Sequence, residues 1–379
     1  MTLPPDASQS KTQMKILLLG AGGFIGVNMV ERLLKDGAHD ITAVDIEKTK
    51  LEELGALSNP RMTYLRLDIR RDNNALEEEV KKADVVVDLV AFANPALYVS
   101  DPLGTFQLNF IENLKIVDYC VKHQKRIVQF STCEVYGVTA ASVIGKDPKD
   151  MPCPFVEDET FLIMGPINAH RWIYASAKQL LERVLHAYGL QEGLNWSIIR
   201  PFNFIGPRID YLPSEAAGNP RVFSHFMNAL LYGTPMKLVD GGRNFRAYTY
   251  IDDAVDCIVR ILENKGGVCD RQIFNIGKPD NELTIKELAY LMKEVFDEHF
   301  REEGDPEPEI VDVSAEEFYG KGYQDCDRRI ADISKARTLL GWNPQYGTRE
   351  VVYKTMEYFV DRFREKQRAA AAAPASANA

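Results

Sequence analysis

The chain has 379 residues, 45% hydrophobic and 26% charged, the make-up of an ordinary globular protein with room for one large or two medium domains. Its net charge of −10 argues against broad nucleic-acid binding, which needs basic surface to neutralise phosphate. No apolar run approaches the roughly 20 residues of a membrane span, and residues 1–13 lack the apolar core of a secretory signal, so a cytoplasmic protein without membrane contact is expected.

Residues 1–13 read as a disordered tail, and so does the Ala-rich stretch 363–379. Between them, short apolar runs alternate with amphipathic stretches. "MKILLLG" (14–20) predicts a buried strand, with a helix through 27–35 behind it. Further strands are predicted at "DITAVDI" (40–46), "MTYLRLDI" (62–69), "ADVVVDLVA" (83–91), "RIVQFST" (126–132) and "WSIIRPFN" (196–203). Apolar strands separated by helices imply a doubly wound, parallel α/β sheet of the Rossmann kind over 14–202. Beyond 203 the pattern loosens, and 203–362 reads as a smaller α/β domain over the sheet's carboxyl edge. It carries a helix at 284–300 and a stretch within 246–263 that returns to the first domain. Six cysteines and six histidines are scattered without metal-ligand spacing, so reduced thiols and no metal are expected.

"GAGGFIG" follows the first strand and sets Gly20, Gly23 and Gly26 at three-residue spacing, with Phe24 and Ile25 opening the helix. Glycine is needed where a pyrophosphate must approach bare backbone at a helix N-terminus. Asp45 ends the second strand, where a carboxylate can accept from both ribose hydroxyls. No Arg directly follows it, so NAD is favoured over NADP. Asp68 and Ile69 end the third strand, Asp68 being placed either to reach the adenine or to cap a helix. Ala91, Phe92 and Ala93, after the fourth, lie near the cofactor's middle.

A nicotinamide domain needs a group that moves a proton while the cofactor moves a hydride. "YASAK" supplies Tyr174 and Lys178, four apart on one helix face, the only tyrosine of sixteen with a lysine at that distance. The ammonium would lower the phenol's pKa toward neutrality. "STCEVYG" (131–137), just after the fifth strand, offers Thr132 as hydrogen-bond partner of the reacting sugar oxygen. Its Tyr136 has no supporting lysine and is not the catalytic phenol.

"GAGGFIG", "FSTCEVYG" and "YASAK" together resemble the extended short-chain dehydrogenase/reductase family, which acts on nucleotide sugars. "RPFNFIGPR", "LVDGG" and "FYGKGYQDCDRRIAD" resemble, within it, the UDP-glucuronic acid decarboxylases and the UDP-apiose/UDP-xylose synthases of plants. The resemblance covers roughly residues 14–360. It implies that Asn203, Arg221 and Lys237 contact the nucleotide and Arg246 the diphosphate, with Tyr323 closing over it. Arg171 would hold the substrate carboxylate, Tyr98 a sugar hydroxyl, and Glu134 and Arg329 would be additional acid–base groups, Arg329 donating a proton near C5.

The implied reaction takes UDP-glucuronic acid, oxidises C4 with NAD, loses CO2 and yields UDP-4-ketopentose, UDP-xylose or UDP-apiose. Cys133 stands where the bacterial decarboxylases carry Ser and the plant enzymes Cys, whereas Ala93 replaces the plant enzymes' second cysteine, which weakens the apiose assignment. A small buried residue filling the place of Ser is the plain alternative for Cys133. A UDP-sugar 4-epimerase and a catalytically silent NAD-binding regulator are the competing readings; "GKGYQDCDRR" speaks against the first and the retained Tyr174–Lys178 pair against the second. The resemblance also implies a homodimer through helices near 105–122 and 173–190.

Overall fold

The computed structural model describes residues 13–147, 149–216, 220–320 and 324–372. Tyr323, residues 1–12 of the first expected tail and residues 373–379 of the second lie outside the described residues. The six expected strands form: β1 Lys15–Leu19, β2 Asp40–Val44, β3 Met62–Leu65, β4 Val85–Asp88, β5 Arg126–Phe130 and β6 Trp196–Pro201. A seventh, β7 Gln272–Ile276, joins the free edge of β6. The order is β7-β6-β5-β4-β1-β2-β3 and each pairing is parallel. The order reverses between β1 and β4, and a crevice opens at the carboxyl ends beside such a switch point.

The sheet is apolar on both faces because helices cover both. Leu18, Val87, Val128 and Ile199 face one core, and Leu17, Leu19, Val86 and Ile198 face the other. Successive strand residues alternate between the two cores, so a run such as "ILLL" serves both and shows no polar alternation. The helices used below are α1 Phe24–Asp36, α2 Asn113–Lys122, α3 Trp172–Gln191, α4 Ile251–Glu263, α5 Ile285–His299 and α6 Thr348–Ala372.

Helix α4 packs against α1 and leads into β7, so the return to the sheet is longer than the expected 246–263 and starts later. "QIFNI" lies between polar turns in the looser half of the chain, and its place in the sheet is set by the crossover through α4. Phe245–Ala247 stays outside it, pairing antiparallel with Glu282–Thr284 and parallel with Arg328–Arg329. That small sheet carries both Arg246 and Arg329. A second pairing, Met236–Val239 with Ile310–Val313, stands beside it. The helix expected at 284–300 is α5, started by a reciprocal capping box between Thr284 and Glu287. The stretch from 363, expected as a tail, is helical as far as Ala372, since α6 continues on alanines of high helix propensity.

Candidate active site

The turn after β1 is shaped for a phosphate. Gly20 sits at φ +85°, left-handed backbone that favours glycine, and its N–H donates to Val44 O at 2.9 Å. A Cβ on Gly26 would lie 2.3 Å from Gly20 O and 2.7 Å from Ala21 Cα, so helix and strand meet at backbone contact. Gly23 is the N-cap of α1 and offers no side-chain cap, which leaves the amides of the first turn, with Phe24 and Ile25, to a ligand. Asp45 stands against the same turn: its carboxylate accepts from Gly22 N–H at 2.8 Å and Glu47 N–H at 3.0 Å. Burial raises its pKa against those hydrogen bonds. Uncapped amides, a glycine cradle and a carboxylate beside it fit the pyrophosphate and adenosine ribose of NAD. Asp68 does not cap the following helix, Asn73–Lys82, which begins after Asp72; its carboxylate accepts from Arg70 at 2.8 Å. Ile69 is buried and Ala91 half-buried beside the crevice.

Helix α3 brings Tyr174 and Lys178 beneath the ends of β4 and β5. Tyr174 is buried, hydrogen-bonded to the Thr132 hydroxyl and stacked on Tyr98, ring centroids 4.6 Å apart and 9° from parallel. Tyr98, expected to meet a sugar hydroxyl, thus presents a ring face to Tyr174 and is itself buried. Lys178 donates from Nζ to Phe130 O at 3.1 Å. Burial pushes its pKa down to about 8, with Asp88 and then Glu182 opposing that drop. The expected lowering of Tyr174 is reversed. Burial, followed by the charges of Glu134 and Cys133, raises the phenol's pKa, and the Thr132 hydrogen bond and Arg171 only partly oppose it. Tyr136 is structural: its hydroxyl donates to Asn275 Oδ1 at 2.8 Å, and its ring stacks on Phe155 at 4.5 Å.

Above the tyrosines five charged side chains interlock. Arg171 holds Glu134 through both nitrogens of its fork, one at 2.8 Å, and reaches Asp325 at 3.4 Å. Arg329 bonds Asp325 at 2.6 Å and approaches Glu134 at 3.5 Å, while Arg246 binds the other oxygen of Asp325. Burial pushes both carboxylates up, and the guanidiniums outweigh it and hold Glu134 and Asp325 below the usual range. Burial pulls Arg329 down, and Asp325 and Glu134 overcome it and raise its pKa. The Arg171 carbon CZ also lies 5.5 Å from the Tyr98 ring, joining this network to the phenol stack. Cys133 and Cys326, both buried thiols, sit within the field of Arg329, and burial pushes both up.

The network opens on a cavity of about 830 Å³. Of the expected residues, Glu134, Arg171, Asn203, Arg221, Lys237, Arg246 and Arg329 line it, and so does Ala93. Asn203 takes φ +42° and donates from Nδ2 to Ala247 O at 3.2 Å. Arg221 forks onto Asp210 at 3.0 Å and lies over the Phe24 ring, next to the cofactor turn. Lys237 is exposed at the far wall, 5.9 Å from the Phe318 ring.

Two residues of the centre escape motif reading. Asp325 is visible in "GKGYQDCDRR" four places before Arg329, though only the fold shows that three arginines share it. Asp88 is a lone charge in the apolar run "VVVDLV", and it turns out fully buried below Lys178.

Comparison with known proteins agrees with this geometry. The model of the NAD dependent epimerase/dehydratase family matches residues 16–277. The PbgP3 protein of Burkholderia pseudomallei is 36% identical, with a TM-score of 0.80 over 93% of this chain and 98% of that one. A UDP-glucose 4-epimerase of Thermotoga maritima, solved with UDP-glucose, is 25% identical, with a TM-score of 0.73 over 93% and 100%. A UDP-glucuronic acid 4-epimerase of Bacillus cereus, solved with UDP-glucuronic acid and NAD, is 21% identical and shares the fold, with a TM-score of 0.75 over 93% and 100%.

Proposed function

The chain belongs to the NAD dependent epimerase/dehydratase family, and on that premise we propose that it is a decarboxylase of UDP-glucuronic acid, forming UDP-xylose, UDP-4-ketopentose or both. The observation that carries this reading is the buried network beside Tyr174, three guanidiniums against two carboxylates. Its surplus positive charge lies in a cavity lining, where an uncompensated cation is costly. A substrate carrying a diphosphate and a sugar carboxylate offsets that surplus; a neutral sugar offers no charge at the inner end. The UDP-sugars bound by the Thermotoga and Bacillus cereus proteins support the nucleotide-sugar class.

Bound NAD supplies the hydride acceptor at sugar C4 and the hydride that returns to the ketone. Tyr174 takes the C4 hydroxyl proton, with Thr132 orienting the same oxygen and Lys178 supplying positive charge one helical turn away. The 4-ketone is β to the C5 carboxylate, so loss of CO2 leaves the electron pair as an enolate. Arg171 binds the carboxylate before it leaves, in place of part of its hold on Glu134. Arg329 gives a proton to C5: its raised pKa suits it to a strong base alone, which the enolate carbon of a ketone is. Arg246 takes the diphosphate, with Asn203, Arg221 and Lys237 along the nucleotide arm. A homodimer through the helical stretch 102–122 and α3 would cover Leu103 and Leu180, which are 78% and 43% exposed.

Purified protein given UDP-glucuronic acid and NAD should release CO2 and a pentose nucleotide, read by NMR of the products. Formation of neither CO2 nor a pentose nucleotide would overturn the reading. A stable hexuronate epimer would favour the 4-epimerase reaction, and UDP-apiose would mean that Cys133 suffices without a cysteine at position 93.

A further inference from the structure

We propose that Asp88 is a positioning residue of the reaction, a buried counter-charge that acts through Lys178 and keeps its ammonium protonated across the working pH range. The argument starts at the carboxyl ends of β4 and β5, where Asp88 and Gln129 are register partners. Gln129 Nε2 donates to Asp88 Oδ2 at 3.0 Å and also lies 3.4 Å from Phe130 O. Phe130 O is the carbonyl that accepts from Lys178 Nζ at 3.1 Å. Asp88, Gln129, the Phe130 carbonyl and Lys178 therefore form one continuous buried chain, with every side chain in it at most 1% exposed.

Burial raises the Asp88 pKa, and Lys178 together with two donors, Gln129 Nε2 and the Val90 N–H at 3.0 Å, opposes that rise and favours the charged carboxylate. A charge taken fully out of water is kept only where donors and a counter-ion repay its desolvation. The cation that faces it is Lys178. On its own helix α3, Lys178 also faces Glu182 one turn further on and Tyr174 one turn back. Glu182 is already forked by Arg200 of β6, at 3.0 and 2.6 Å, and its charge is largely spent there. From α2 the buried Cys120 thiol faces Asp88, and burial followed by that carboxylate pushes the thiol up, so it stays neutral. Among the described residues, Asp88 is thus the carboxylate acting on Lys178 that has no guanidinium partner. Its placement explains how a buried lysine retains the proton that a phenol-based reaction uses.

The inference rests on the Tyr174–Lys178 reading of the site and not on which sugar is processed. Its first test needs no substrate: NMR titration of Lys178 in the full-length protein, with the signal assigned by Lys178→Arg. Lys178 should titrate near 8 in the parent, and about one unit or more lower in Asp88→Asn, as loss of a neighbouring opposite charge dictates. The second test is the pH profile of turnover on UDP-glucuronic acid with NAD. The alkaline limb should move down with the lysine, so Asp88→Asn loses several-fold more activity at the alkaline end than at neutrality.

A uniform loss at every pH, or a Lys178 titration that does not move, overturns the proposal. So does a shifted titration with an unmoved limb. If Asp88→Asn does not fold, Gln129→Leu is read in its place. It removes the donor that holds the carboxylate charged, so the limb should shift in the same direction by less, and no shift again overturns the idea. An absence of any turnover would strike the proposed reaction, while the Lys178 titration would still decide the role of Asp88.

Discussion

Two charge centres flank Tyr174, and they are built on opposite principles. Below it, Asp88 and Lys178 make a sparse pair with no further ion in the chain that links them, and burial moves both toward neutrality. Above it, Glu134 and Asp325 share three guanidiniums, and the attraction outweighs burial, so both carboxylates are held more firmly charged. A sparse buried pair is shifted toward its neutral forms and answers to pH. A crowded network is locked, and it answers to charge brought in by a ligand. The lower centre is suited to proton traffic, the upper one to recognising an anion.

The largest expected effect comes from removing the group on which both centres act. Tyr174→Phe should lower turnover by about 10²- to 10⁴-fold, the usual reach of a general acid–base group, with circular dichroism unchanged. Residual activity within a factor of two of the parent would break the catalytic account and with it the comparison.

Next in size is a cut in the upper network. Asp325→Asn leaves three guanidiniums facing one carboxylate, and the folded state should lose about 3 kcal/mol, the low end for breaking a buried pair because Asp325 keeps 16% exposure. Denaturant titration measures it, and addition of a UDP-sugar anion should restore part of the loss. Equal stability with and without Asp325 would mean that the arginines are solvated and the network is not locked.

The two centres should also separate by pH. Glu134 and Asp325 have folded pKa values below their unfolded ones. Their contribution is therefore fully present above the ordinary carboxylate pKa of about 4, and it fades as pH falls through the lower folded values. Lys178 runs the other way. Its folded pKa, about 8, lies below that of a free lysine, so between these values the unfolded state binds more protons and stability rises with pH. Unfolding midpoints followed across pH should show an acid branch that Asp325→Asn flattens and an alkaline rise that it leaves alone. The reverse assignment would break the comparison.

The smallest effect marks the edge of the site. Tyr136→Phe removes the hydroxyl that bonds Asn275 and Arg200, and should cost about 1–2 kcal/mol of stability with turnover unchanged. A large loss of activity would draw the second phenol into the chemistry.

The opening strands and the glycine turn were legible in the chain because each is a local pattern. An apolar run, a turn needing φ above zero and a helix start lie within a dozen residues, and β1 to β6 fall where the runs predict. The Tyr174–Lys178 pair was legible for the same reason, four residues on one helix face. Asp325 and Arg329 stood within a motif, but their meeting with Arg171 and Glu134 spans 154 and 195 residues of separation. No spacing rule reaches that far. The seventh strand escaped because "QIFNI" resembles any edge strand, and only the crossover through α4 seats it on β6.

Sequence by itself determined the glycine cradle, the carboxylate at the end of the second strand and the spacing of phenol and ammonium, since those depend on neighbours along the chain. Tertiary structure decided the electrical state of those groups. It buried Lys178 over Asp88, turned Tyr174 against Tyr98 and Glu134, and gathered three arginines on Asp325. A pKa is set by burial and by charges a few ångströms away, and both are properties of the packed molecule.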